Sequence, residues 1–457
     1  MACVRGPSMS DEQAGHAPPS LLRVLGLVFG LAVVVGGMVG SGIMRAPGVV
    51  AQGLTSPALI LLAWAVGGVV AMLSAMPLVE AGASVPRAGG AYSIAERAFG
   101  PTTGFLTGWV VWLQYAASNA FIAVVFGEYV HRLGIAAGVS NSVLACGLIA
   151  VVGAINWAGT RVSGASQSLG SAIKGGAFLL LVAVLFASPR AAAVAVPNHM
   201  AAMGAVGAII MAIRVIYQTY AGWDAAIYFS EEVHRPDRNV ARATFWGIAA
   251  VTVLYVLVNA AVLHVLTPAA IAGSALAVGD AAKISMGAVG DTVITAMGLF
   301  SLAAIANLQI MTGSRVTFRM ARDGDLPGFL GAVAKGGTPR RSMLVLVAAT
   351  MAFAATGSYE SLVRIYAPWS LAGILIICLG AIRLRIAEPD LPRPWRMPLF
   401  PWIAIGAALV NATLIAVVVW DDPIAGFWST VVAFAPLPIY LVFGKGWRRS
   451  AARAGGG

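Results

Sequence analysis

Long apolar runs separated by short polar or basic breaks dominate this chain from residue 21 to residue 444. Twelve of them are long enough, or nearly so, to cross a bilayer as helices: roughly 22–50, 57–80, 101–130, 142–159, 166–188, 203–230, 244–266, 291–316, 342–356, 361–383, 401–420 and 423–444. The pattern predicts an all-α polytopic membrane protein. Residues 1–20 are polar and rich in Pro, Gly and Ser, and read as a disordered tail. Residues 445–457 form a second, basic tail.

Within the first run, the stretch Gly36-Gly37-Met38-Val39-Gly40-Ser41-Gly42-Ile43 places four glycines at mid-depth. Each costs about 1 kcal/mol in a helix interior. The backbone is therefore expected to leave the helix around Gly40-Ser41-Gly42. Freed N–H and C=O groups in hydrocarbon survive only beside a polar cavity. The positive N-terminus of the second half-helix suits a carboxylate, and the carbonyls ending the first suit an ammonium or a cation. Close packing through the Gly36/Gly40 small-xxx-small pair is the competing reading of the same residues. A second interruption, Tyr220-Ala221-Gly222-Trp223-Asp224, lies in the sixth run. Five runs separate the two, so they fall in helices of opposite direction, the pattern of an inverted-repeat site.

Composition sharpens the picture. The chain is 59% hydrophobic and 10% charged, against about 25% charged in soluble domains. Its net charge of +11 is then read against a membrane and not against nucleic acid. Of the 29 basic residues, a cytoplasmic N-terminus leaves only Arg45, Arg132, Arg190, Lys283 and Arg364 outside, with Lys174 and Arg214 inside spans. The positive-inside rule thus places both termini in the cytoplasm. Cys3, Cys146 and Cys378 are scattered, no His pair has metal-ligand spacing, and no P-loop is present, so no cofactor or metal is expected.

Several motifs, in order, resemble the amino acid–polyamine–organocation (APC) transporter family. They are Gly40-Ser41-Gly42-Ile43; Glu80 to Tyr92, followed by Phe99-Gly100-Pro101; Tyr220 to Asp224 with Glu231-Glu232; Met320 to Pro327; and Pro389 to Pro398. Ala91 departs from the pattern, where members often carry Glu. The resemblance is to the sodium-independent amino acid transporter and exchanger branches. It implies a 5+5 inverted repeat (residues 21–190 and 200–385), discontinuous first and sixth helices, and two further helices over 400–444. It also implies alternating-access amino acid transport across the cell membrane, by proton-coupled symport or exchange. A polyamine or amine antiporter of the same fold is the alternative. An intramembrane enzyme would need a nucleophile–base or acid pair at mid-depth, and none is found. A channel would want a polar stripe along one helix, whereas the polar residues cluster at two breaks.

By resemblance, Gly40, Ser41, Gly42 and Ile43 bind the substrate carboxylate, carbonyls near Met38, Gln218 and Ala221 accept from its ammonium, and Tyr220, Gly222 and Trp223 wall the pocket. Asp224 is read as a cap for freed N–H groups. Gln114, Tyr115, Ser118, Asn119, Asn307 and Gln309 are candidate readers of the substrate, or links between helices. Arg45 and Arg214 flank an outer vestibule. Glu80, Arg87, Arg97, Glu231, Glu232, Arg322 and Asp323 supply an inner gate of ion pairs, or a solvated surface. Lys174, in Ala172-Ile173-Lys174, matches the lysine that occupies a cation's place between helices one, five and eight, with the carbonyls before Gly40 as partners. It is the candidate coupling residue. These groups read only what amino acids share, so the identity of the amino acid and of any second subunit stays open.

Overall fold

The computed structural model describes residues 21–40, 42–190, 204–356 and 359–455. Ser41, the serine of the first break, therefore lies outside the described residues. The described residues are helical, apart from loops and one isolated bridge between Leu25 and Val233.

The chain runs α1 (Leu27–Met38), α2 (Gly42–Gly53), α3 (Pro57–Ser84), α4 (Ala91–Phe99), α5 (Pro101–Arg132), α6 (Asn141–Trp157) and α7 (Thr160–Ala187). Then follow α8 (Gly204–Thr219), a 3-10 segment (Trp223–Phe229), α9 (Pro236–Val265), α10 (Pro268–Ala272), α11 (Ala277–Met286) and α12 (Ala288–Arg322). A short 3-10 turn (Gly328–Gly331) leads to α13 (Arg340–Thr356), α14 (Tyr359–Ala387), α15 (Trp402–Asp421), α16 (Pro423–Phe434) and α17 (Leu437–Gly455). Proline at the first helical turn starts α3, α5, α9 and α16, where its missing N–H costs nothing. Ser140 and Asp422 accept from the N–H groups of Val143 and Ala425 and cap α6 and α16.

Among the described residues, each of the twelve apolar runs overlaps at least one helix. Among the described residues, eight spans are long and apolar enough to cross a bilayer, and α1 with α2, bent by 46°, makes a ninth. The runs at 142–159, 203–230 and 342–356 fall on shorter helices of 17, 16 and 17 residues. The α17 helix continues to Gly455, through the segment assigned to the C-terminal tail. In the interior α5 packs along α12 and α3 along α9, while α1 lies against α7 and α9, and α2 against α8. The outer faces of α3, α15, α16 and α17 expose Leu, Val, Ile and Phe, as a lipid-facing surface requires.

Candidate functional site

The α1 helix ends at Met38 because Val39 turns to extended backbone, with its N–H still bonded to the Val35 carbonyl. The carbonyl that α1 frees is met by a side chain. Lys174 on α7, 3% exposed, donates from Nζ to the Gly36 carbonyl at 2.9 Å and also to Val39. Ser301 on α12 donates to the Val39 carbonyl (3.2 Å) and Ser171 on α7 to Ala32 (2.6 Å). At the second break α8 ends at Thr219, and Gly222 takes φ +111°, a left-handed conformation that favours glycine, before the 3-10 segment starts. The Tyr255 hydroxyl on α9 lies 2.7 Å from the Met38 carbonyl and 3.1 Å from that of Thr219, so one group spans both breaks.

The two breaks meet backbone to backbone. A Cβ built on Gly222 would stand 2.7 Å from the carbonyl carbon and oxygen of Gly37, and one on Gly37 would stand 2.9 Å from the Gly222 oxygen. Gly42, opening α2, faces Thr219, ending α8. Leu25, preceding α1, exchanges backbone hydrogen bonds with Glu232 and His234, beyond the 3-10 segment. The two interrupted elements therefore run antiparallel past one another.

Beside this crossing is a cavity of about 220 Å³. Of the sequence candidates, Gln114, Tyr115, Ser118, Gln218, Ala221, Gly222, Trp223, Asp224, Gln309 and Arg214 line it. Gln309 donates to the Ser118 hydroxyl at 3.0 Å, and its own carbonyl oxygen is buried with no partner among the described residues. Asp224 forms no ion pair among the described residues, and its carboxylate accepts from its own backbone N–H at the start of the 3-10 segment. Arg214 pairs with Asp421 at 2.7 Å. A second cavity of about 420 Å³ is lined by Gly42, Arg45, Arg214, Gln218 and Thr219. It shares Arg214 and Gln218 with the first, so the crossing opens toward that end.

Other candidates sit elsewhere. Met38, Gly40, Ile43 and Tyr220 are buried at the crossing, and the Tyr220 hydroxyl donates to the Trp64 carbonyl at 2.9 Å. Asn307 joins helices: it accepts from Asn156 (2.8 Å) and donates to Gln167 (3.0 Å). The Asn119 amide is buried with no hydrogen-bond partner among the described residues.

The opposite end, which carries residue 21 and α17, is closed. Arg315 makes a two-pronged pair with Glu232 at 2.8 and 2.9 Å, the two side chains 1% and 0% exposed, and its guanidinium lies over the Phe229 ring. Arg319 binds Asp323 and Glu231, and Glu231 in turn accepts from the N–H of Ala88. Tyr92 donates within reach of Asp325 (2.8 Å) and Asp323 (3.1 Å), and Arg448 on α17 binds Asp325 and Glu96. Burial, followed by the nearby Asp323 charge, raises the Glu96 carboxyl above its usual range. Glu80 accepts from Arg385 and from the N–H of Met397, and Arg97 pairs with Glu388 at 2.6 Å.

Among the described residues, Glu80, Arg97, Glu231, Glu232 and Asp323 each pair with a residue outside the seven expected at the gate. Arg87 is exposed, and Arg322 lies over Phe318. The main partner, Arg315, escaped sequence reasoning because it reads as the basic end of the eighth run. Its signal was a charge still inside the apolar pattern at 291–316. Tyr255 and Ser301 carried no signal beyond a polar group in a helix.

Antiparallel broken helices crossing beside a polar cavity, in a chain built of apolar spans, define a membrane transport protein. Comparison with known sequences agrees. The chain belongs to the amino acid permease family, whose sequence model matches residues 24–443. It is 28% identical to the b(0,+)-type amino acid transporter 1 of Mus musculus, over 97% of this chain and 94% of that one. It is 28% identical to the large neutral amino acids transporter small subunit 2 of Rattus norvegicus, over 96% and 84%. It is 26% identical to the serine/threonine exchanger SteT of Bacillus subtilis (strain 168), over 92% and 96%. These relatives are transporters and not enzymes.

Proposed function

We propose that this protein carries amino acids across the cell membrane by alternating access, without sodium, through twelve spans arranged as a 5+5 inverted repeat plus two helices. Both termini face the cytoplasm in this reading, so the end closed by Arg315–Glu232 is the inner one and the Arg214 vestibule is the outer one. The observation that carries it is the contact of Gly37 with Gly222 beside a cavity that shares Arg214 and Gln218 with the vestibule lined by Arg45. The backbone N–H groups of Gly42 and Ile43, with Ser41, receive the substrate carboxylate at the start of α2. Carbonyls near Met38, Gln218 and Ala221 receive the ammonium, that of Met38 also accepting from Tyr255. Lys174 fills the place of a coupling cation, and its proton is the one available for symport; the name of SteT supports exchange.

The test is counterflow in proteoliposomes, with labelled uptake driven only by internal unlabelled amino acid. Uptake that needs a sodium gradient, or no uptake with any amino acid, overturns the reading. One observation favours the second reading, an amine carrier: the unpaired Asp224 carboxylate on the cavity wall. Competition by decarboxylated amines as strong as that by amino acids would decide for it.

A further inference from the structure

At the end that carries residue 21, a cleft of about 490 Å³ opens between the start of α1, the start of α7 and the segment leaving the second break. It is lined by Arg23, Arg161 and His234, with Ser168 and Gly26, and no acidic residue among the described residues lines it. Both guanidiniums are exposed and neither forms an ion pair among the described residues. Of the acids flanking His234, Glu231 binds Arg319, Glu232 binds Arg315, and Asp237 lies 3.9 Å from Arg238. Gly26 brings no side chain to cap α1, so the first N–H groups of that helix add to the positive field. An imidazole at His234 donates a hydrogen bond whether or not it is charged.

Depth identifies the source of the anion. Arg161 is the second residue of α7, a membrane span, and Arg23 lies four residues before α1, so the cleft stands where lipid headgroups lie. Around it, Val28, Val162 and Leu169 expose 74%, 49% and 63% of their surface, as acyl-chain contacts would require. We infer that this cleft binds the phosphate of an anionic phospholipid, with Arg23 and Arg161 gripping the headgroup and the α1/α7 face holding a chain. Juxtamembrane basic clefts have this chemistry, and each arginine near the surface contributes about 1 kcal/mol. The lipid would tie α1, α7 and the exit of the second break together at one point.

The test titrates phosphatidylglycerol and phosphatidylcholine into the detergent-purified full chain and follows bound lipid by native mass spectrometry and unfolding temperature by thermal shift. Neither readout depends on transport. We expect saturable binding and stabilisation by phosphatidylglycerol and not by phosphatidylcholine. Affinity should weaken about thirtyfold in Arg23→Gln/Arg161→Gln, which is that contribution taken twice, and stay unchanged in Arg396→Gln. Equal affinity of the two lipids, which needs no variant, overturns the inference. So does phosphatidylglycerol affinity kept in the double variant. Equal stabilisation by inorganic phosphate alone overturns the lipid assignment in favour of a soluble anion.

Discussion

The Lys174 ammonium lies 2.9 Å from the Gly36 carbonyl oxygen, where an unbroken helix would bring the N–H of Gly40. A side chain from α7 thus replaces a backbone donor that the break in α1 removes. Lys174→Ala leaves the Gly36 carbonyl without its side-chain donor, while that of Val39 keeps Ser301, at a cost of about 1–3 kcal/mol for the group left buried and unsatisfied. We expect the variant to insert and fold with a lowered unfolding temperature and to lose counterflow. Full uptake with unchanged pH dependence would exclude both a structural and a coupling role. Exchange that survives while proton-driven accumulation is lost assigns Lys174 to coupling alone.

Tyr255 offers a second test of the same crossing, because its single hydroxyl reaches the carbonyls of both Met38 and Thr219. Tyr255→Phe keeps the ring, which packs against Trp64 and Tyr220, and removes only the link. Losing that donor costs about 1–3 kcal/mol, so initial counterflow rates should fall at least about fivefold. A rate equal to wild type would show that the two breaks are not coupled through this hydroxyl.

How far the sequence carried can be judged at these residues. The apolar runs, both breaks and the place of Lys174 were legible, because hydrocarbon permits glycine clusters and charges only where something meets them. Ser171, Tyr255, Ser301 and Arg315 were not. Their roles depend on which face of one helix meets another, and a helix buried on all sides shows no amphipathic stripe to read. The seven gate candidates lie at the end that carries residue 21, but the partner of none of them was legible. Glu80 pairs with Arg385, and Glu232 with Arg315, 83 positions away, and spacing says nothing about such contacts. Asn307, open in the sequence between reading substrate and linking helices, ties α12 to α6 and α7.

The Arg315–Glu232 pair is buried, so removing one partner leaves an uncompensated charge. Arg315→Met or Glu232→Leu alone should destabilise by about 3–5 kcal/mol, and the double variant by much less. Unfolding of the four proteins in a double-mutant cycle checks this. Additive losses would mean that the two side chains act independently, contrary to their two-pronged contact.

The Arg97–Glu388 pair should behave differently, since about a third of each side chain is exposed. Hydrogen bonding from Arg97 lowers the Glu388 carboxyl below its ordinary 4.5. A depressed carboxyl contributes stability that is present above its unfolded value and lost as pH falls through its folded value. Any contribution therefore disappears only on acidification below pH 4.5. Solvent screening keeps it small, and Arg97→Gln should cost under about 1 kcal/mol at neutral pH. A larger loss would make this contact part of the inner closure.

The last prediction concerns Asp224, whose carboxylate lines the central cavity without a cation among the described residues. The other charged group on that wall, Arg214, is already held by Asp421 at 2.7 Å. The cavity therefore has an unmatched negative charge. A ligand with a second positive group can pair with it, whereas a neutral amino acid cannot do so without giving up its ammonium contacts at the breaks. A charge-assisted hydrogen bond contributes about 1.5–3 kcal/mol net. Amino acids with cationic side chains should then compete about 10- to 100-fold better than neutral ones of similar length. Asp224→Asn should erase that advantage while leaving neutral amino acids bound, since the amide keeps the shape and removes the charge. The measurement is inhibition of counterflow by a panel of cationic, neutral and acidic amino acids in both proteins. An equal loss of all classes in Asp224→Asn would assign the carboxylate to the fold of the 3-10 segment. Preference for acidic amino acids would instead give selection to Arg45 and Arg214, and Arg214→Gln should then abolish it.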